Sequence, residues 1–308
     1  MNKKKIIIFG GTGFLGSNLA KYLIQKDFAV SIISRNEPKF NGGWKFCTWD
    51  SQSLASWCRE LEGAHTIVNL VGRSVDCIKN PANCDAILRS RVESTKLIGK
   101  ALRAIKNPPK LWVQMSTAHI YGDPEDIVCT EDSPYGYGLA PFVGQAWEKA
   151  YDESVLPNMR QVILRTSFVL GRDGGALPRL AKLVKLGLGG KVGDGKQGIS
   201  WLHEDDINRI FLRAISDETM KGIYIASSPQ PLSNTEFMRE LRKNLSVSCG
   251  LPAPECLVKL AAPLIMKTDP ELAIYGRYCK PQRLMDEGFE FKFSDLNKAL
   301  SDIYKTDY

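Results

Sequence analysis

"IIIFGGTGFLG", residues 6–16, decides the fold. Four apolar residues run straight into Gly10, Gly11, Gly13 and Gly16, and an amphipathic segment follows. In that strand–turn–helix setting each spaced glycine has a task. Gly10 permits the tight turn, Gly13 lets the backbone approach a pyrophosphate, and Gly16 lets the helix pack closely on the sheet. The helix N-terminus then offers N–H groups and the positive end of its dipole to the anion. The whole turn, with Thr12, Phe14 and Leu15, is the expected dinucleotide cradle.

Outward from this turn, strand-like runs recur at 5–10, 29–34, 45–49, 66–72, 110–116, 160–166 and 222–228. Helical segments fill 13–26, 84–105, 139–154, 176–187, 205–217 and 233–244. Near-continuous apolar strands alternating with helices predict a parallel sheet buried on both faces. The expected class is α/β: a Rossmann-type doubly wound sheet of about seven strands with a smaller, mostly helical C-terminal lobe. Residues 1–168 form the dinucleotide domain, 205–228 return to it, and 169–308 make the lobe on the substrate side. In that lobe, "LGLGGKVGDGKQG" (186–198) is a glycine-rich loop and "GLPAPECLVKLAAPLIM" (250–266) is punctuated by prolines. Ser233 and Glu236 read as a capping box.

The chain has 308 residues, 44% hydrophobic and 24% charged, enough for a sizeable core. A net charge of +7 favours anionic ligands, but no basic block alternates with aromatics, so nucleic acid is not an expected partner. The eight cysteines show no C-x-x-C pair and no metal-ligand spacing, so no metal is expected. Lys3 to Lys5 precede an apolar run as in a secretory signal, but the glycines cut the run after four residues. No stretch approaches a membrane span. A cytoplasmic protein with a small-molecule substrate is expected, and a homodimer stays open.

The second strand ends "IISRNEP" (32–38), with Ser34 and Arg35 where NAD binders carry an acid for the ribose 2′-hydroxyl. A hydroxyl and a guanidinium suit a 2′-phosphate, so the expected cofactor is NADP(H). Glu37 comes two residues late and reads as a turn residue. Asp50 either meets the adenine amino group or caps the next helix.

With "FGGTGFLG" (9–16), "VNLVG" (68–72), "STAHIYG" (116–122) and this "SR", the chain resembles the extended short-chain dehydrogenase/reductases of the NAD(P)-dependent epimerase/dehydratase group. The stretches "SRVEST" (90–95), "QAWEKAY" (145–151), "LRTSFVLGRDGGALPRL" (164–180), "LGLGGKVGDGKQGISWLHEDD" (186–206) and "KPQRLMDEGFEF" (280–291) are similar to its YfcH-like branch, which ends in a C-terminal domain of unassigned role.

The resemblance implies a site and also a gap in it. The superfamily catalyses through a Ser/Thr after the fifth strand and a Tyr-x-x-x-Lys on the next helix. Here that helix reads "LAPFVGQAWEKAY" (139–151), with Phe142 and Ala146 at those two positions. The chain's Tyr-x-x-x-Lys, Tyr22 to Lys26, lies on the first helix, facing the wrong way. By the family pattern Thr117 holds the Ser/Thr position, with Ser116 one register away. His119 either carries a proton or packs under its loop. Tyr121 either presents its phenol or lines the substrate wall. The resemblance also implies cofactor contacts from Leu70, Val71, Gly72, Arg91, Thr95, Arg165 and Phe168. Gln197, Trp201 and His203 either shape a substrate pocket or pack their loops; Asp205 and Asp206 cap a helix.

No Ser-His-Asp arrangement, P-loop or H-E-x-x-H occurs, which excludes the hydrolase and kinase readings. The expected function is an NADPH-dependent oxidoreductase acting on a small organic substrate without the usual pair. A non-catalytic NADP(H)-binding regulator or redox sensor, and a nucleotide-sugar epimerase or dehydratase, stand as alternatives.

Overall fold

In a computed structural model that describes residues 3–38, 41–124 and 127–304, the chain alternates strands and helices along most of its length. The strands are β1 Lys5–Phe9, β2 Ala29–Ser34, β3 Lys45–Thr48, β4 Thr66–Asn69, β5 Leu111–Thr117, β6 Val128–Cys129, β7 Arg160–Thr166, β8 Phe168–Leu170, β9 Gly198–Ile199, β10 Trp201–His203, β11 Gly222–Ala226, β12 Leu232–Ser233 and β13 Tyr278–Cys279. The α-helices are α1 Phe14–Gln25, α2 Pro81–Arg103, α3 Leu139–Asp152, α4 Leu177–Lys185, α5 Glu204–Ser216, α6 Asn234–Asn244, α7 Glu255–Ala261, α8 Glu271–Ile274, α9 Gln282–Asp286 and α10 Leu296–Tyr304.

Seven strands make one parallel sheet in the order β11-β7-β5-β4-β1-β2-β3. These are the seven runs that read as strands in the sequence. The chain winds outward from β1 through β2 to β3, then restarts at β4 on the other side. The switch point thus lies between β1 and β4, where doubly wound sheets open a crevice at the carboxyl ends of their strands.

Alternation explains why the strands read as continuous apolar runs. Ile6 and Ile8 enter a core with Leu19 and Leu23 of α1 and Ile207, Ile210 and Phe211 of α5. Ile7 and Phe9 point the other way, into a core with Ile98 of α2, Tyr151 of α3 and the indoles Trp57 and Trp112. Phe9, Trp49 and Trp57 meet with ring centroids 5.0–5.7 Å apart. A separate core joins α4, α6 and α10 through Leu177, Val184, Phe237, Leu241, Leu300 and Ile303.

Three short pairs lie outside the seven-stranded sheet: β8 with β10, β9 with β12, and β6 with β13. The capping box at α6 forms, with the Glu236 N–H donating to Ser233 Oγ and the Ser233 N–H to the Glu236 carboxylate. No helix among the described residues is long and apolar enough to cross a membrane.

Candidate active site

Gly10, Gly13 and Gly16, three of the four glycines that follow β1, have different surroundings. Gly10 has φ +74°, a left-handed conformation that favours glycine, and its N–H donates to Ile33 O at 2.9 Å. A Cβ at Gly16 would stand 2.5 Å from Gly11 Cα and 2.6 Å from Gly10 O, so α1 rests directly on the turn. Gly13 is exposed, and a Cβ there would meet nothing nearer than Gly10 O at 3.5 Å. Backbone closes around two of the glycines, and the third faces open space. Gly13 is also the N-cap of α1, with no side-chain cap and no acid in the first turn. The positive end of that helix is left for an anion. A phosphate group fits this turn.

Leu15 and Phe14 follow, both partly buried, and the Phe14 ring fills the space that side chains would occupy at Gly171, Gly174 and Gly175. At the tip of β2, Ser34 Oγ and Thr12 Oγ1 share a 2.8 Å hydrogen bond, which links the second strand to the glycine turn. Arg35, next in line, is exposed at the crevice edge. Asp50 accepts from Ser53 Oγ at 2.5 Å and from the Ser53 and Gln52 N–H groups. Those bonds, the Ser53 hydroxyl first, hold its carboxyl down at about 2. Its role here is to cap a turn.

Across the switch point, a Cβ at Gly10 would lie 3.1 Å from the Leu70 carbonyl, so the 70–72 loop borders the glycine turn. Asn69 supports that loop by accepting from the Val71 N–H at 3.1 Å, while its amide donates to Thr95 and Gln114. Thr95 also accepts from Trp147 Nε1 and is fully buried. This corrects the expectation that Thr95 faces the cofactor: it holds α2 and α3 beneath the loop. Arg91 does reach the crevice. Its guanidinium covers Gly72, lies 5.1 Å from the Trp147 ring and donates to the Arg73 and Ile87 carbonyls. Burial lowers it to about 10, still charged at neutral pH.

At the end of β5 the sequence expectations divide. Ser116 Oγ donates to Glu148 Oε1 at 2.6 Å, inside a buried network. Arg165, 1% exposed, makes two bonds to Glu148 at 2.8 and 2.9 Å and donates to Tyr121 OH, Tyr135 OH and Glu131 O. Burial alone would lower the guanidinium; the Glu148 bonds and charge outweigh it and raise it. Burial raises the Tyr121 phenol. The expected roles of Ser116 and Tyr121 in catalysis and of Arg165 at the cofactor are therefore corrected. All three are buried and held by protein partners, and a buried ion pair of this kind needs every partner it has.

Thr117 differs. Its Oγ1 accepts the His119 N–H at 3.1 Å, which leaves the hydroxyl proton to donate elsewhere. The side chain is partly open at the carboxyl edge of the sheet, one strand from the switch point. His119 sits in the same short turn. Burial, then the charges of Arg277 and Lys79, hold its imidazole well below the usual histidine range. It is neutral at neutral pH, which corrects the idea of a group titrating there. On α3, Gly144 packs against Ile120, and Phe142 is 59% exposed with Ala146 one turn on. Neither side chain can exchange a proton.

The other expected pocket residues are structural. Trp201 is fully buried, and its indole donates to Gln230 O at 2.9 Å. His203 caps α5 by accepting the Asp205 N–H and stacks 4.0 Å from Phe293. Asp206 is buried, accepting from the Lys292 and Phe293 N–H groups; His203 holds the cap position expected of it. Gln197 bridges the carbonyls of Val192 and Ala273. Phe168 packs on Phe237 rather than standing free at the crevice. Sequence reasoning missed Glu148, whose role needs partners distant in the chain, and Arg277, whose "YGRYC" (275–279) setting carries no recognisable signal.

The pattern of the NAD dependent epimerase/dehydratase family matches residues 6–225, and that of a domain of unknown function, DUF1731, matches 253–303. The human epimerase family protein SDR39U1 is 29% identical over 308 residues, covering 97% of this chain and 99% of its own. The crystal structure of human SDR39U1 (isoform 2) with NADPH superposes with a TM-score of 0.85 at 28% identity, over 97% of this chain and 99% of that one. A nucleoside-diphosphate sugar epimerase from Corynebacterium glutamicum gives 0.79 at 28% identity, over 98% of this chain and 58% of its own.

Proposed function

We propose that this chain, which belongs to the NAD dependent epimerase/dehydratase family, binds NADP(H) and reduces a small organic carbonyl or enone compound. NADPH in the human relative supports the cofactor, as do the uncapped N-terminus of α1, Ser34 and Arg35. When bound, the cofactor supplies the hydride. The rest falls to this chain: the glycine turn holds the pyrophosphate, and Arg35 takes the 2′-phosphate. Thr117 donates a hydrogen bond to the substrate oxygen, where negative charge develops, and solvent supplies the proton that completes the reduction.

The observation that carries this reading is Thr117 itself, oriented by the His119 N–H and open at the sheet edge. The test is NADPH oxidation against quinones, aldehydes and activated enones. Thr117→Val should lower kcat by about a hundredfold with NADPH affinity unchanged, the usual cost of one such donor. Phe142 and Ala146 favour a second reading, a non-catalytic NADP(H) sensor. Tight NADPH binding with no turnover of any compound would establish that instead.

A further inference from the structure

Two free cysteines from distant parts of the chain face each other across a strand pair. In the parallel pair of β6 and β13, Cys129 stands directly opposite Cys279. Opposed residues of such a pair point to the same face, with neighbouring strands about 4.8 Å apart. That Cα spacing falls inside the ~4.4–6.8 Å that a disulfide spans. The backbone around both is fixed: the Lys280 N–H donates to Cys129 O at 2.8 Å, and the Cys279 N–H to Ser200 Oγ at 2.7 Å. Both side chains are buried in one apolar cluster with Ala118, Ile120 and Tyr121 of the turn after β5. Among the described residues, no other cysteine lies opposite a cysteine on a paired strand.

We propose that Cys129 and Cys279 are a reversible dithiol–disulfide couple, closed by a peroxide and reopened by a dithiol reductant. The two thiols already act on each other. A hydrogen bond from Cys279 lowers the Cys129 thiol below its ordinary value, and the same bond, then burial, raises Cys279. Cys129 therefore ionises first and is the attacking sulfur. Its thiolate takes one peroxide oxygen, the O–O bond breaks, and hydroxide leaves with the proton Cys129 released, as water. The Cys279 sulfur then attacks the sulfenic sulfur, the S–O bond breaks, and the hydroxyl leaves with the Cys279 proton as a second water. Two thiols give up two electrons and hydrogen peroxide takes them. The cover over the pair is thin: β6 and β13 have two residues each, and Val128 beside Cys129 is 53% exposed. So short a ladder opens locally without global unfolding, which admits a molecule as small as hydrogen peroxide.

The bond would join two regions that weaker contacts already hold. Cys129 lies within the epimerase/dehydratase pattern at 6–225, and Cys279 within the C-terminal domain at 253–303. Near the pair, the Gly276 N–H donates to Asp123 Oδ1 at 2.7 Å. A disulfide fastens the C-terminal domain to the apolar cluster that carries the turn beside Thr117 and His119. The closed form stiffens that turn whatever reaction takes place there, so the couple does not depend on the oxidoreductase reading.

The experiment uses the full chain, fully reduced, then treated with hydrogen peroxide in native buffer and, separately, in denaturant. Remaining thiols are alkylated after denaturation. The native wild type should take up six labels instead of the eight of the reduced chain, and a digest without reductant should hold the Cys129 and Cys279 peptides joined. Replacing the exposed Cys249 and Cys256 by serine should leave that bond unchanged, whereas Cys129→Ser or Cys279→Ser should abolish it. Oxidation should raise the melting temperature of the wild type, because the cross-link restricts the unfolded chain, and dithiothreitol should return it. Amide exchange at 117–123 and 275–280 should slow by about tenfold or more on oxidation. A bond between other cysteines, a bond formed only in denaturant, or unchanged exchange in the oxidised chain would each overturn the proposal. Should the serine variants not fold, the peptide map and exchange of the wild type decide alone. No readout needs turnover: failure to oxidise NADPH would remove the oxidoreductase and leave the couple, while absence of the bond would do the reverse.

Discussion

Valine placed at Gly13 and at Gly16 adds the same three carbons three residues apart, with opposite expected outcomes. At Gly16 the first of those carbons alone would lie 2.5 Å from Gly11 Cα, 2.6 Å from Gly10 O and 2.9 Å from Gly11 C. Comfortable carbon contacts begin near ~3.5 Å, so α1 would have to lift by about 1 Å. The obstacle is backbone, and the turn is tied to β2 through Gly10 N and Ile33 O, so little can give. Overpacking of this kind costs ~3 kcal/mol or more, several degrees of melting temperature for a chain of this size.

At Gly13 the same carbon meets one atom, at an ordinary 3.5 Å, and the backbone (φ −75°, ψ 172°) is open to any residue. The expected loss is at most about 1 kcal/mol, the difference between glycine and an apolar N-cap. NADPH at about one hundred times its Kd should stabilise the wild type by about 2.7 kcal/mol. Gly13→Val should lose that increment entirely, because its side chain occupies the pyrophosphate's place. Thermal unfolding with and without NADPH reads both effects. If Gly13→Val is stabilised by NADPH as the wild type is, or Gly16→Val melts with the wild type, the assignment of the two glycines is wrong.

Two further outcomes are expected. Arg35→Ala should weaken NADPH by about tenfold or more, the ~1.5–3 kcal/mol of a charge-assisted bond, and leave NADH little changed; calorimetry showing equal loss for both would contradict the 2′-phosphate contact. Chain stability should fall as pH drops below about 6.5, because burial holds His119 and His203 below that value in the folded chain while their unfolded counterparts bind protons there. The slope is about 1.4 kcal/mol per pH unit for each; Glu204, raised by burial, opposes it only at lower pH, and denaturant unfolding with a flat or rising stability from pH 7 to pH 5.5 would refute the sign.

The sheet was legible because two-sided burial leaves a local trace. A strand such as β1 must supply Ile6 and Ile8 to one core and Ile7 and Phe9 to the other, so it reads as an unbroken apolar run. The glycine turn was legible for a related reason: its demands are on the backbone of the residues themselves. The two- and three-residue pairings were not. The β6–β13 pair depends on Ser200 Oγ receiving the Cys279 N–H from about eighty residues away, and no periodicity can show that. Helix α10 was missed although its signal was present, an Asp295 side chain accepting the Lys298 N–H ahead of an apolar stripe.

The site divides along the same line. A residue type announces what it can do, but whether it is free to do it depends on partners the chain brings from afar. Arg165 and Ser116 look available in "STAHIYG" and "RTSFVLG", yet Glu148 of α3 and the loop residues Glu131 and Tyr135 consume their donors. The same helix that lacks a tyrosine and a lysine on one side thus spends its buried side on an ion pair and on the Trp147 bond to Thr95. Its contribution is to hold β5 and the turn beyond it rigid. On the proposed reading that rigidity has a chemical use, because Thr117 has no lysine to tune it and depends on position alone.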